Sequence, residues 1–197
     1  MNKNFLNPTR NTLIDKAIEF AAKAHENGVR KGTDIPYITH PFSVGIILTK
    51  AGCSEEVIAA GILHDTIEET PTTLEDLVGN FGEKVADIVS GCTEPDKSLP
   101  WEERKQNMID FLKTAPQDVR LVACADKLHN IRSIAVEYSC IGVEVWERFE
   151  RGKKDQEWYY RGIVESICSE TREDEKAVLF ERLREEVDSL FRSGEKR

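Results

Sequence analysis

Apolar positions recur at three- and four-residue spacing through almost the whole chain, the period of helices that bury one face. Leu13, Ala17, Ile18, Ala21 and Ala22 form the first such stripe, with Asp15, Lys16, Glu19 and Lys23 largely opposite. Gly28 and the run Gly32-Thr33-Asp34-Ile35-Pro36 then predict a polar loop. A second helix follows Pro41 through Val44, Ile47 and Leu48 to Gly52, and Ser54 can cap a third through the 57–68 region. Thr72 and Glu75 have capping-box spacing for a helix that stops near Gly79. Phe81 to Val89 predicts a short helix closed by Gly91, and Pro100 and Pro116 each open a further one. Segments 143–149, 155–168 and 172–192 complete the pattern, with Thr171 and Asp174 as a cap for the last. The apolar run at 119–125 would suit a strand taken alone, but its continuation into Ala125-Asp126-Lys127-Leu128-His129-Asn130 favours helix. The prediction is one all-α domain over residues 1–197, a helical bundle with a charged C-terminal helix at about 172–192.

One stretch does not fit a purely structural helix. His64-Asp65-Thr66-Ile67-Glu68-Glu69 follows the apolar Val57 to Leu63 directly. If the helix continues, positions 64 and 68 share a face, as do 65 and 69. His40 stands before Pro41 at a loop-to-helix boundary, and Asp126 ends the apolar stretch at 119–125. Together His40, His64, Asp65 and Asp126 offer two imidazoles and two carboxylates, a mixed set suited to Mn²⁺, Fe²⁺ or Zn²⁺. On an octahedral ion such a set leaves room for water and a phosphate oxygen. Glu68 and Glu69 are then candidates to orient or deprotonate the water and to hold it or protonate a leaving group. Singly, each residue has a plainer reading: His40 as packing, Asp126 as a cap or a partner of Lys127 or Arg132.

Bulk properties narrow the field. The 197 residues suffice for one domain with its own core. No apolar run approaches the roughly 20 residues that span a bilayer, and MNKNFLNPTR is not followed by an apolar segment, so no signal peptide or membrane association is expected. Five scattered cysteines without a CxxC pair indicate neither a disulfide framework nor a Cys-rich zinc site, which points to the cytoplasm. A net charge of −9 argues against a broad nucleic-acid surface, while leaving room for a local cationic pocket for a small phosphorylated nucleotide.

Three ordered stretches, Arg30-Lys31-Gly32-Thr33-Asp34-Ile35-Pro36-Tyr37-Ile38-Thr39-His40-Pro41, Gly61 to Thr70 and Ala125 to Ile131, resemble the HD superfamily of metal-dependent phosphohydrolases. More narrowly, the chain is similar to the hydrolase domain of RelA/SpoT proteins and to stand-alone small alarmone hydrolases. The core motifs span residues 30–131, and Trp158-Tyr159-Tyr160 extends the match weakly. The resemblance implies an HD-type bundle in which His40, His64, Asp65 and Asp126 bind manganese, with Fe²⁺, Zn²⁺ or Mg²⁺ as alternatives. It implies Glu68 and Glu69 as the acidic catalytic pair, Arg30 and Lys31 around the guanine, and Tyr37, Asn130, Ser133 and Tyr159 near the nucleotide. The implied reaction removes the 3′-pyrophosphate of ppGpp or pppGpp. Arg can stack on a planar base and Arg or Lys neutralises phosphate, which suits the basic pair. His129 is left outside the ligand set, as a support for Asp126 or its helix. The chain has no space for the synthetase, TGS and ACT regions of long RelA/SpoT proteins, so hydrolysis without synthesis is expected.

Two positions depart from that family's pattern. Glu69 stands where the motif usually has aspartate, and Glu94, in Ser90-Gly91-Cys92-Thr93-Glu94, where a lysine is common. If Glu94 faces the pocket, it disfavours a highly phosphorylated ligand. These departures keep open an HD phosphohydrolase for another nucleotide or phosphate ester, such as NADPH. A non-catalytic nucleotide-binding or protein-interaction module is the third reading, which the Glu68–Glu69 pair argues against. The C-terminal helix can pack within the molecule or serve a homodimer.

Overall fold

The computed structural model describes residues 12–94, 96–168 and 177–192, and among these the only regular elements are helices. In chain order they are α1 (Leu13–Ala24), α2 (Thr39–Lys50), α3 (Glu55–Leu63), α4 (Thr66–Glu69), α5 (Leu74–Phe81) and α6 (Glu83–Cys92). There follow α7 (Trp101–Leu112), α8 (Gln117–Ile141), a 3₁₀ segment (Gly142–Arg148), α9 (Lys153–Cys168) and α10 (Ala177–Arg192). The expected all-α architecture is what the chain adopts. No helix among the described residues is long and apolar enough to cross a membrane.

The starts and stops follow local chemistry, with shifts. Thr12 caps α1 in a reciprocal box with Asp15. The box expected from Thr72 and Glu75 is made one residue later, by Thr73 and Asp76, because the side chain of Thr72 engages Thr70 instead. The helix therefore runs past Gly79 to Phe81 and stops at Gly82, whose φ of +83° is cheap only for glycine. Pro100 and Pro116 sit at the N-caps of α7 and α8 rather than inside their first turns. The 143–149 segment is 3₁₀ rather than α-helical. The Thr171–Asp174 cap lies outside the described residues.

Helix α8 is the axis of the bundle and packs against α2, α3, α6, α9, α10 and the 3₁₀ segment. Val119 and the unbroken run Leu121 to Asp126 are buried. A helix apolar all round belongs in a protein interior, so the expected single stripe on α8 is a buried girdle over its first half. Helix α3 is likewise buried from Val57 to Leu63. It lies hard against α2 because both contribute glycine at the crossing. A Cβ on Gly61 would stand 2.3 Å from Leu48 Cδ1, and one on Gly45 2.6 Å from Ile62 Cγ1. That close approach brings the N-terminal turn of α2, with His40, beside the C-terminal end of α3, with His64.

Candidate metal centre and catalytic cleft

The helix expected to run through residue 68 breaks at His64 and Asp65. α3 ends at Leu63 and α4 begins at Thr66, and Asp65 adopts φ −93°, ψ −4°, the bridge conformation often found at active sites. Thr66 Oγ1 donates to the Leu63 carbonyl at 2.7 Å, satisfying an acceptor the break releases. On an unbroken helix adjacent side chains diverge by about 100°. Here they converge, with His64 Nε2 3.2 Å from Asp65 Oδ1.

Around this break the structure gathers the four candidate ligands. His40 Nε2 lies 3.2 Å from His64 Nε2, 3.4 Å from Asp65 Oδ2 and 3.2 Å from Asp126 Oδ1. Both imidazoles are almost fully buried. His64 Nδ1 is 2.8 Å from the Gly61 carbonyl, a partner that can only accept. In the neutral ring this leaves the Nε2 lone pair facing the cluster. His40 Nδ1 is 2.7 Å from His129 Nδ1, and in the tautomer where His40 donates there its Nε2 lone pair faces inward too. Lone pairs and carboxylate oxygens converging at these distances repel one another unless positive charge stands among them. Accordingly, although burial opposes protonation of His64, Asp65 and Asp126 raise its pKa to about 9. Burial lowers that of His40. Nitrogen and oxygen donors of this kind fit a divalent cation. His40, His64 and Asp65 each offer a ligand atom within 4.8 Å of the others, and Asp126 Oδ1 adjoins both imidazoles.

Each carboxylate is held from behind. The Tyr37 hydroxyl donates to Asp65 Oδ2 at 2.7 Å, and the buried His25 ring stacks on Tyr37 at 4.9 Å. Asn130 Nδ2 donates to Asp126 Oδ1 at 2.6 Å while its Oδ1 accepts from Arg30 Nη2 at 3.0 Å. Lys127 Nζ donates to the other Asp126 oxygen at 2.7 Å. His129 thus supports His40 directly, and Asn130 spans a candidate ligand and the basic loop. Such outer partners fix the orientation and basicity of metal ligands.

Two spaces lie near the cluster: its residues His64, Asp65 and Asp126 line the smaller, and their neighbours Tyr37, His129 and Asn130 line the larger. An outer cleft of about 810 Å³ contains the expected Arg30, Lys31, Tyr37, Asn130 and Ser133, together with Glu69. Arg132 and Arg148, not anticipated there, also line it, as does Tyr160. An inner cavity of about 100 Å³ is lined by Glu68, Glu94, Lys105, Lys127 and Tyr159 beside His64, Asp65 and Asp126. Tyr159, expected at the nucleotide, therefore lies on the inner side, 5% exposed, with Lys105 and Lys127 Nζ 5.0 and 5.6 Å from its ring centroid. Tyr160 is the ring that lines the outer cleft.

The two acids consequently differ. Glu68 is sheltered and burial raises its pKa, whereas the Glu69 side chain is 46% exposed, leaving the longer glutamate room to place its carboxylate. Lys97, from the loop before α7, donates to the Glu68 carbonyl at 2.8 Å and stands 3.8 and 3.7 Å from the two carboxylates. The charge of Glu94 is spent internally. Its carboxylate pairs with Arg104 at 2.5 Å and with Lys105, and its backbone amide donates to Glu68 Oε1 at 2.6 Å.

Comparison with known proteins agrees with this architecture. The family model described as HD domain matches residues 17–147. The chain is 40% identical over 132 residues, 66% of its length and 73% of the relative's, to the zebrafish (Danio rerio) guanosine-3′,5′-bis(diphosphate) 3′-pyrophosphohydrolase MESH1. Among solved structures, lmo0812 from Listeria monocytogenes EGD-e superposes with a TM-score of 0.73 at 38% identity, covering 78% of this chain and 99% of that one. A metazoan ortholog of SpoT that hydrolyses ppGpp superposes with a TM-score of 0.71 at 25% identity, covering 94% and 97%.

Proposed function

The chain belongs to the HD domain family, and we propose that it is a metal-dependent pyrophosphohydrolase that removes the 3′-pyrophosphate of guanosine tetra- or pentaphosphate. The observation that carries this reading is the His40–His64–Asp65–Asp126 cluster, three of whose residues line a cavity with Glu68, while its neighbours Tyr37, His129 and Asn130 line a cleft with Glu69, Arg30 and Lys31. Relatives and neighbours named for this reaction on ppGpp support the choice of substrate.

In this reading the four clustered residues hold one divalent ion, manganese by preference. When bound, that ion supplies Lewis-acid polarisation of the phosphoryl group and lowers the pKa of a water. The chain's own groups perform the rest. Glu68, oriented by the Glu94 amide and with a raised pKa, accepts a proton from the water that attacks the phosphorus attached to O3′. The O3′–phosphorus bond breaks, O3′ takes a proton by way of the solvent-facing Glu69, and pyrophosphate leaves with GDP or GTP. Arg30 and Lys31 receive the nucleotide in the outer cleft, where the cations Arg132 and Arg148 and the polar Tyr37 and Ser133 also stand. We place the reaction in the cytoplasm, where the five free cysteines stay reduced.

The test is a substrate panel with purified, metal-reconstituted protein: ppGpp, pppGpp, NADPH, GTP and simple nucleotides. The expected result is pyrophosphate release from ppGpp that is lost in Glu68→Gln. Efficient turnover of another member of the panel with none of ppGpp overturns the assignment.

A further inference from the structure

Glu94 lies in the stretch that joins α6 to α7, just past the Thr93 C-cap, whose backbone is already extended at ψ 133°. An amide there has no helical ladder to fix its direction, yet that of Glu94 makes the 2.6 Å bond to Glu68 Oε1. The side chain of the same residue provides the fixing. With 9% of its side-chain surface exposed, it is clasped by Arg104 and Lys105, consecutive residues in the first turns of α7. Arg104 Nε also donates to the Leu99 carbonyl at 3.2 Å, tying the far end of the loop to the same helix. Lys105 in turn rests on the Tyr159 ring of α9, which it shares with Lys127, the partner of Asp126. A continuous set of contacts thus runs from the candidate ligand Asp126 through Lys127, Tyr159, Lys105 and Glu94 to Glu68. Glu94 lines the inner cavity with Glu68, His64, Asp65 and Asp126, its carboxylate already paired there, and is absent from the lining of the outer cleft.

We propose that Glu94 is a positioning residue for Glu68: its ion pairs with Arg104 and Lys105 hold the loop so that the residue-94 amide fixes the Glu68 carboxylate, with Tyr159 seating Lys105. This rests on the assignment of Glu68 as the proton acceptor. It reverses the expectation from charge alone. An acid at 94 that faced substrate would repel phosphate, and a lysine there would improve binding. In the observed geometry a lysine would join Arg104 and Lys105 as a third clustered cation and release the loop. A misplaced catalytic group at the 1 Å level costs about 100-fold.

The experiment measures kcat, KM and Mn²⁺ affinity for Glu94→Gln, Glu94→Lys, Lys105→Met and the Glu94→Gln/Lys105→Met double variant. The substrate is ppGpp, or whichever panel member the wild-type protein turns over, so failure of the ppGpp assignment is read separately from failure of this one. Glu94→Lys is expected to lower kcat by about 10- to 100-fold with KM and Mn²⁺ affinity little changed. The double variant should lose no more than the worse single one. Independently of turnover, the residue-94 amide proton should resonate far downfield in ¹⁵N-resolved NMR spectra and move upfield in Lys105→Met and in Glu68→Gln. A Glu94→Lys protein with lower KM and undiminished kcat, or a residue-94 amide indifferent to both substitutions, overturns the proposal.

Discussion

The Nε2 atoms of His40 and His64 face each other at 3.2 Å, although one residue opens α2 and the other closes α3. Their approach depends on the glycine crossing of those helices and on the break at residues 64 and 65. Structure and chemistry meet there, since the packing that closes the core also sets the spacing of the candidate ligands.

That dependence makes Gly61 a test of the link. A methyl at Gly61 meets Leu48 at 2.3 Å, and overpacking of this kind costs about 1–3 kcal/mol. Gly61→Ala is expected to lower the thermal midpoint and also to weaken Mn²⁺ binding in the still-folded protein at 20 °C. Calorimetric titration alongside a melting curve measures both. Unchanged Mn²⁺ affinity in a destabilised protein would uncouple the crossing from the site.

Tyr37 has no ligand role in this account, yet its hydroxyl holds Asp65. Losing such a partner typically costs about 10- to 100-fold in metal affinity. Tyr37→Phe, which keeps the ring stacked on His25, should show that loss with an unchanged circular dichroism spectrum. Wild-type affinity in this variant would assign the orientation of Asp65 to something else.

The two acids should separate kinetically. Glu68→Gln removes the proposed proton acceptor and is expected to lower kcat by about 10²–10⁴-fold while Mn²⁺ still binds. Glu69→Gln, at the exposed position, should cost less, because solvent can replace a proton donor there. Steady-state rates across pH for both variants decide the matter, and the reverse ranking would exchange their roles.

Glu94 also leaves a mark on stability. Burial pushes its pKa up, but Lys105 and Arg104 override this and hold it below the ordinary glutamate value. A group depressed in the folded state contributes stability above its unfolded pKa, about 4.3, and loses it as pH falls through the folded value. The stability gap between wild type and Glu94→Gln should therefore be constant above about pH 5.5 and narrow below about pH 4.3. Denaturant unfolding across that range measures it. A gap that widens on acidification would mean the carboxylate is not stabilised by its neighbours.

Much of this molecule was legible in the chain because helical periodicity and the three motifs are local signals. Residues 40, 64, 65 and 126 could be grouped from the imidazoles, the carboxylates and their apolar surroundings, and the structure brings them together. The break after Leu63 was not legible, since Thr66 and Ile67 carry no breaker and the turn is stabilised by a side-chain bond to the backbone. Nor could the chain distinguish Tyr159 from Tyr160. Adjacent helical positions point about 100° apart, and only the packing of α9 decides which faces the outer cleft. Lys97 and Arg148 reach the site from the loop before α7 and from the 3₁₀ segment, where no periodicity marks direction. Glu94 read as a repulsive charge because Arg104 and Lys105, which neutralise it, come from the next helix.

The central claim, water attack on the phosphorus attached to O3′, is tested most directly by running the Mn²⁺-loaded protein on ppGpp in ¹⁸O-enriched water and following the products by ³¹P NMR. The account predicts GDP and pyrophosphate as the only products, with one ¹⁸O in the pyrophosphate and none in the GDP. Release of orthophosphate, label in the GDP, or no reaction of ppGpp would contradict it.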